Sequence, residues 1–279
     1  MFEAKLTKAK ELVKIVESIK ELITDAPFDC TENAMTLQAM DSSHVALVSL
    51  RLGQHIFEVY RCDRAINLGL SFTQMAKALK CAGNDDTCTI TYNEDSDEHL
   101  MFTFIDEKYQ RKQDVTIKLL DIDSEHLGVP DTKYTTMLNM SSNEFRKIVT
   151  DLQMFGDSVI ITATKGEVKF ETHGENGGHV VFLKSTDDSS DIEDEENDES
   201  EKKKDDRRVQ LICGEKVKLA FSLKYFVQFS KASVLSSRVR MHLSSKVPAV
   251  VEFKIKDDGF LKFFLAPKID DDDDQVMDD

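Results

Sequence analysis

No apolar stretch in the 279-residue sequence approaches the length of a membrane-spanning helix. The opening MFEAKLTKAK also lacks the charged, then apolar, then small-residue order of a secretory signal, so an intracellular protein is expected. The five cysteines (Cys30, Cys62, Cys81, Cys88 and Cys213) form no CxxC pair, and their number is odd. That argues against a disulfide framework or zinc site and for reduced thiols used as small hydrophobes. The seven histidines are scattered, none at ligand spacing with a second histidine or cysteine. No GxxxxGK phosphate loop, HExxH helix or GxSxG elbow occurs. Asp121, Asp123 and Glu125 begin like a calcium loop, but His126 stands where the sharp turn needs glycine and Thr132 where a bidentate glutamate belongs. Neither catalysis, nor a metal, nor a cofactor is expected.

What is present is charge, unevenly placed. The formal net charge is −16, yet residues 187–206 hold 12 acidic and 3 basic residues, and residues 270–279 hold 7 acidic and none basic. The remainder has 33 of each sign and is neutral. Both runs lack aromatics and nearly lack aliphatics, so neither repays the entropy of ordering, and both are expected to be disordered, one a surface insertion and one a tail. A solubility role is the simpler reading; a basic partner or nuclear import through EKKKDDRR is the alternative.

With those runs set aside, one pattern recurs four times: a strand, a short amphipathic helix, then alternating strands. The helices are expected at residues 10–23, 72–82, 143–153 and 223–232. The first is read as stopping near Pro27, and Ser71 with Gln74 and Ser141 with Glu144 have capping-box spacing ahead of the second and third. Asp258-Gly259 between alternating runs reads as a hairpin. Four units make two similar domains, residues 1–118 and 135–269, joined by a connector at 119–134. Many strands and few helices predict an α+β fold in which antiparallel sheets carry their helices on one face.

At 100° per residue each helix separates an apolar face from a basic one. The outer faces carry Lys10, Lys14 and Lys20 on the first helix, diluted by Glu17 and Glu21, and Lys77 and Lys80 on the second, with no acidic residue among them. The third presents Arg146 and Lys147, and the fourth Lys224 and Lys231. One such face is ordinary. Four on related helices suggest a shared cationic surface that tracks phosphates without reading bases.

The segments MDSSHVALVSL (40–50), YRCDR (60–64), KALKCAGND (77–85), HLGVPDTKY (126–134) and LAPKID (265–270) closely resemble the eukaryotic DNA sliding clamps, the proliferating cell nuclear antigen family. The resemblance runs from Met1 to about Asp270. It implies the clamp fold and a homotrimeric, non-catalytic ring that encircles duplex DNA in the nucleus, sheets outside and helices lining the hole. It implies tethering of DNA polymerases, the clamp loader, flap endonuclease, DNA ligase and other proteins carrying a glutamine–aliphatic–diaromatic motif. The DNA-facing set becomes the helix residues above with Arg61 and Arg64. Val13, Thr150 and Met154 stand where relatives often carry basic or imidazole groups, a loss that Lys10 and Arg146 partly offset.

The same resemblance makes Met40, His44, Val45, Leu47, Leu127, Val129, Pro130, Tyr134, Val247, Pro248, Phe264, Leu265, Ala266 and Pro267 a hydrophobic docking groove for partner peptides. Phe264 replaces a tyrosine common there. Lys165 matches a ubiquitin-acceptor position, and subunits are expected to join through the edge strands QDVTIKLL (113–120) and HVVFLK (179–184). Two other classes stay open. An acidic chaperone of basic proteins would lose its partners on deletion of both acidic runs, and an unrecognised hydrolase or nuclease would show metal-dependent turnover.

Overall fold

The computed structural model describes residues 1–93, 98–122, 132–186, 208–245 and 247–268. They fall into two compact units: Met1–Val129 with Val234–Ser236 and Phe253–Phe263, and Pro130–Ser233 with Ser237–Glu252 and Phe264–Asp279. Both acidic runs and Leu127, Val129 and Pro130 of the connector lie outside the described residues.

The first unit runs β1 (Phe2–Leu6), α1 (Ala9–Ile19), β2 (Asp25–Cys30), β3 (Ala34–Met40) and β4 (Ala46–Gly53). It continues with β5 (Val59–Cys62), β6 (Ile66–Ser71), α2 (Phe72–Leu79), β7 (Thr87–Tyr92), β8 (His99–Asp106) and β9 (Arg111–Lys118). The second repeats this order as β10 (Thr136–Ser141), α3 (Ser142–Gln153), β11 (Ser158–Thr164), β12 (Glu167–Gly174) and β13 (Gly177–Lys184). Then come β14 (Gln210–Cys213), β15 (Val217–Ser222), α4 (Leu223–Phe229), β16 (Arg238–Leu243), β17 (Ala249–Ile255) and β18 (Gly259–Leu265).

Pairing repeats as faithfully as order. β1 lies antiparallel between β5 and β7, with β8 and β9 beyond, and β10 lies antiparallel between β14 and β16, with β17 beyond. β2 joins β6 to β3 and β4, as β11 joins β15 to β12 and β13. In the first unit β18 continues the sheet past β4. Its repeat counterpart, β9, ends its own sheet, and so does β13, the counterpart of β4.

The cores follow from residue periodicity. Leu12, Ile15, Val16 and Ile19 recur at helical spacing and are buried, as are Phe145, Ile148, Val149 and Leu152 on α3. Alternate residues Phe102 and Phe104 of β8, or Val159 and Ile161 of β11, are buried at period two. Full burial of each such side chain is worth about 1.5–3 kcal/mol.

Several local expectations are corrected. The first helix ends at Ile19, well before Pro27, which lies inside β2. There β2 pairs with β6 but β3 pairing starts only at Phe28, so the missing N–H of Pro27 leaves no ladder bond unmade. Neither Ser71 nor Ser141 makes a side-chain cap. The helices spring directly from strands, and the N–H groups of Phe72 and Ser142 donate instead to the Thr24 and Ser237 carbonyls at 2.9 and 2.8 Å. The fourth helix becomes a 3-10 turn from Ser230 to Val234, where the Ser230 hydroxyl donates to the Val227 carbonyl at 2.7 Å. At the β17–β18 hairpin the left-handed residue is Lys256 (φ 49°). Gly259 instead opens β18, where a Cβ would sit 2.5 Å from Ile56 Cδ1 and 2.9 Å from the Arg51 carbonyl. Strand β14 had no expectation behind it.

Candidate nucleic-acid and partner interfaces

The helices position the basic faces. In the first unit α1 packs against α2, and in the second α3 packs against α4. Burial of Phe72, Met75, Ala76, Ala78 and Leu79 turns Lys77 outward at the carboxyl end of α2, where a cation complements the helix dipole. Lys80 follows at the C-cap, and both are exposed. Neither has an acidic partner among the described residues. The same holds for Lys10, Lys14, Arg146 and Lys147, of which Lys14 is half-buried and the others exposed. Lys20 differs, since it is paired to Glu17 at 2.6 Å. Lys224 is exposed and lies 6.0 Å from the Tyr225 ring centroid, and Lys231 is half-buried in the turn after α4.

Arg61 is placed differently from the helical set. It sits on β5 and is held by Asp63, with Nε donating to Oδ1 at 2.7 Å and an Nη donating to Oδ2 at 3.1 Å. These hydrogen bonds, joined by the N-terminal ammonium of Met1 at 3.4 Å from Oδ2, hold the Asp63 carboxyl below the usual carboxylate range. Arg64 is exposed in the turn before β6.

The assigned docking residues divide between the two units. In the first, Met40 and Leu47 are directly opposed on β3 and β4 and half-buried, while His44 and Val45 are exposed on the turn between the strands. That turn is built by Asp41, only 6% exposed, whose carboxylate accepts the N–H groups of Ser43 at 3.1 Å, Val45 at 2.8 Å and Ala46 at 2.7 Å. The fold tolerates His44 at φ 55° because these bonds and His44 N–H to the Asp41 carbonyl at 2.9 Å over-determine the loop. Asp41 escaped the sequence reading. Its signal was an aspartate followed by two serines ahead of a strand, the pattern of an Asx turn. Replacing it with alanine is expected to cost about 3 kcal/mol, because three donors lose a charged acceptor, and to loosen the turn that carries His44 and Val45. Thermal melting of Asp41→Ala against Asp41→Asn checks this, since asparagine keeps an acceptor oxygen.

In the second unit the Tyr134 hydroxyl donates to the Pro248 carbonyl at 3.1 Å, and burial raises its pKa further above neutrality. Its ring lies 5.6 Å from that of His242. Pro248 and Ala266 are exposed, and Val247, Phe264 and Pro267 half-buried. Leu265 is a correction: at 1% exposure its side chain belongs to the core, so only Phe264 and Ala266 on either side of it and Pro267 are within reach of a ligand. The connector begins pinned to the first unit, with Leu119 N–H on the Glu98 carbonyl at 2.8 Å and Leu120 N–H on that of Gly69 at 2.9 Å. A side chain at residue 69 would collide with the Leu120 carbonyl.

Lys165 is exposed in the two-residue turn closing β11 and β12, whose pairing ends at Thr164 and Glu167, with Gly166 at φ 85°. Among the described residues no three metal-ligating side chains cluster, and no helix is long and apolar enough to cross a membrane.

Comparison with known proteins bears on this arrangement directly. The family model of the proliferating cell nuclear antigen N-terminal domain matches residues 1–126, and that of its C-terminal domain matches residues 128–268. Proliferating cell nuclear antigen of Caenorhabditis elegans is 53% identical over 272 residues, covering 98% of either chain. Those of Chaetomium thermophilum and Dictyostelium discoideum are 42% and 43% identical over 98% and 97% of this chain and the whole of their own. The chain therefore belongs to the proliferating cell nuclear antigen family, the non-catalytic DNA sliding clamps that serve polymerases as processivity factors.

Proposed function

We propose that three copies of this chain close head to tail into a ring around duplex DNA in the nucleus, with α1 to α4 of every copy facing the duplex. The repeat carries this reading. β4 continues into β18, whereas their counterparts β13 and β9 end their sheets, so one chain holds the complementary halves of a joint it does not complete for itself. Burial supports the reading. Leu50 and Leu52 of β4 are each 1% exposed, while Val181 and Leu183 at the matching places on β13 are only half-buried, and Val180 and Phe182 are exposed. A long apolar edge of this kind invites a strand from another copy. A head-to-tail joint generates a closed ring when its rotation closes.

Inside the ring, weak contacts from Lys10, Lys14, Lys20, Lys77, Lys80, Arg146, Lys147, Lys224 and Lys231 hold phosphates without reading sequence, and topology rather than affinity prevents loss. Lys20 and Arg61 contribute less, because Glu17 and Asp63 offset them. Domain boundaries near residues 118 and 135 set the connector apart from both domains, and the docking surfaces include His44 in the first unit and Tyr134 in the second. These take the motif of DNA polymerases, the clamp loader, flap endonuclease and DNA ligase, and Lys165 is the acceptor for a regulatory ubiquitin. Sedimentation velocity is the direct test. At micromolar concentration the expected species is three times the 31.7 kDa chain, and a stable monomer would refute the ring.

A further inference from the structure

We infer that the tip of the β8–β9 hairpin is the key of the subunit joint. Tyr109 of one protomer fills the pocket beside α3 of the next, while Lys108 pairs with that protomer's Glu144. This rests on the ring reading and deepens it.

The first unit contains the template. There the tip of the β17–β18 hairpin reaches past the end of β4 to the first turn of α1, where Lys256 Nζ lies 2.7 Å from Glu11 Oε2 and 3.4 Å from the Ile56 carbonyl. The Asp258 carbonyl accepts the N–H of Gly53, the last residue of β4, at 2.8 Å. Each partner has a repeat counterpart. β17–β18 corresponds to β8–β9, β4 to β13, and α1 to α3. Glu11 is the third residue of α1 and Glu144 the third of α3.

At the place in the second unit where a hairpin tip should dock there is instead a pocket of about 570 Å³. Its lining includes Met140, Glu144, Lys147, Leu183 near the end of β13, and Val209. The tip that would enter it is exposed and shaped. Tyr109 is 72% exposed, a value that only Met154 matches among the exposed large hydrophobic side chains of the described residues. Its N–H donates to Asp106 Oδ1 at 3.1 Å, Gln110 Nε2 donates to the Glu107 carbonyl at 3.0 Å, and Gln110 sits at φ 54°. These bonds fix the turn before docking. Arg111 is already held by Asp86 at 3.2 Å, which leaves Lys108, 5.2 Å from the Tyr109 ring centroid, as the tip cation for Glu144. A buried tyrosine covers about 150–250 Å² and pairs an apolar body with a polar end, which suits Leu183 and Val209 on one side and Glu144 and Lys147 on the other.

The test measures assembly of the full chain by sedimentation across a dilution series. Tyr109→Ala is expected to raise the dissociation constant of the ring about ten- to thirtyfold, as loss of a buried aromatic anchor does, with Tyr109→Phe close to the parent. Lys108→Glu and Glu144→Lys should each weaken assembly, and their combination should restore it. Because all three side chains are exposed in the protomer, the circular dichroism of the dissociated chain should not change. A parental trimer that is indifferent to Tyr109→Ala, with charge variants that do not rescue each other, overturns the hairpin key while leaving the ring intact. A parental chain that is monomeric at every concentration overturns the ring reading and the key with it.

Discussion

Phe182→Asp is expected to yield a folded monomer. Phe182 is 58% exposed on an edge strand, so the protomer has little to lose from its replacement, and the β12–β13 ladder, with Phe182 opposite Lys169, does not depend on the ring. The joint has much to lose. A carboxylate there would have to be stripped of water or hold the edges apart, and both the apolar contact and the strand addition would fail together. A loss of at least about 3 kcal/mol per joint weakens each contact on the order of a hundredfold. Sedimentation at 1–10 µM should show monomer with unchanged circular dichroism. A ring that survives nanomolar dilution would mean that β13 is not the joint.

The legibility of this fold varies with the range of the forces involved. Period and repeat were readable because they are dictated by which face of each element is buried. The third helix, expected at residues 143–153, is Ser142–Gln153, and the strand-helix-strands unit recurs four times as expected. Boundaries set by tertiary neighbours were not readable. Ser71 and Ser141 carry the spacing of a capping box, but the first helical N–H already has a carbonyl from the residue just ahead of a strand distant in sequence, so the local device is left unused. Pro27 looks like a helix stop in sequence and proves to be a residue of β2 beside a single neighbour, a fact that only sheet order supplies. Asp258-Gly259 was read for its turn propensity, whereas Gly259 is required for the space it leaves beside Ile56.

The interfaces show the same division. Outward lysines on α2 and the arginine-lysine pair on α3 follow from helical periodicity alone, and the structure leaves them exposed. Which cations are already spent is a matter of contacts. Arg61 with Asp63 and Lys20 with Glu17 become clear only when side chains are placed, as does the burial of Leu265 between Phe264 and Ala266. The Asp41 turn lies between these cases, because the short-range pattern is in the sequence but its purpose emerges from the three N–H groups that converge on one carboxylate.

Charge reversal on the helices should produce the second large effect. Lys77→Glu with Lys80→Glu changes each protomer by four units of charge, on a helix that has no acidic residue of its own. In a ring the change is tripled and confined to the wall nearest the phosphates, so it should repel DNA more strongly than the loss of as many contacts would. The log of DNA affinity scales with phosphate contacts at about −0.9 per contact against log salt, so reversal should flatten or invert that slope as well as lower affinity. Loading onto nicked circular DNA is expected to fall on the order of a hundredfold near 0.1 M salt, where screening acts over about 10 Å. Assembly and melting temperature should hold, because both side chains are exposed and without acidic partners among the described residues. Adding Arg146→Glu and Lys147→Glu should deepen the loss, whereas Arg61→Ala should matter little, since Asp63 already offsets that charge. Normal loading by the double variant would show that α2 does not face the duplex. A wrong-way salt response, with loading that improves as salt rises, would instead identify the reversed wall as the one DNA must pass.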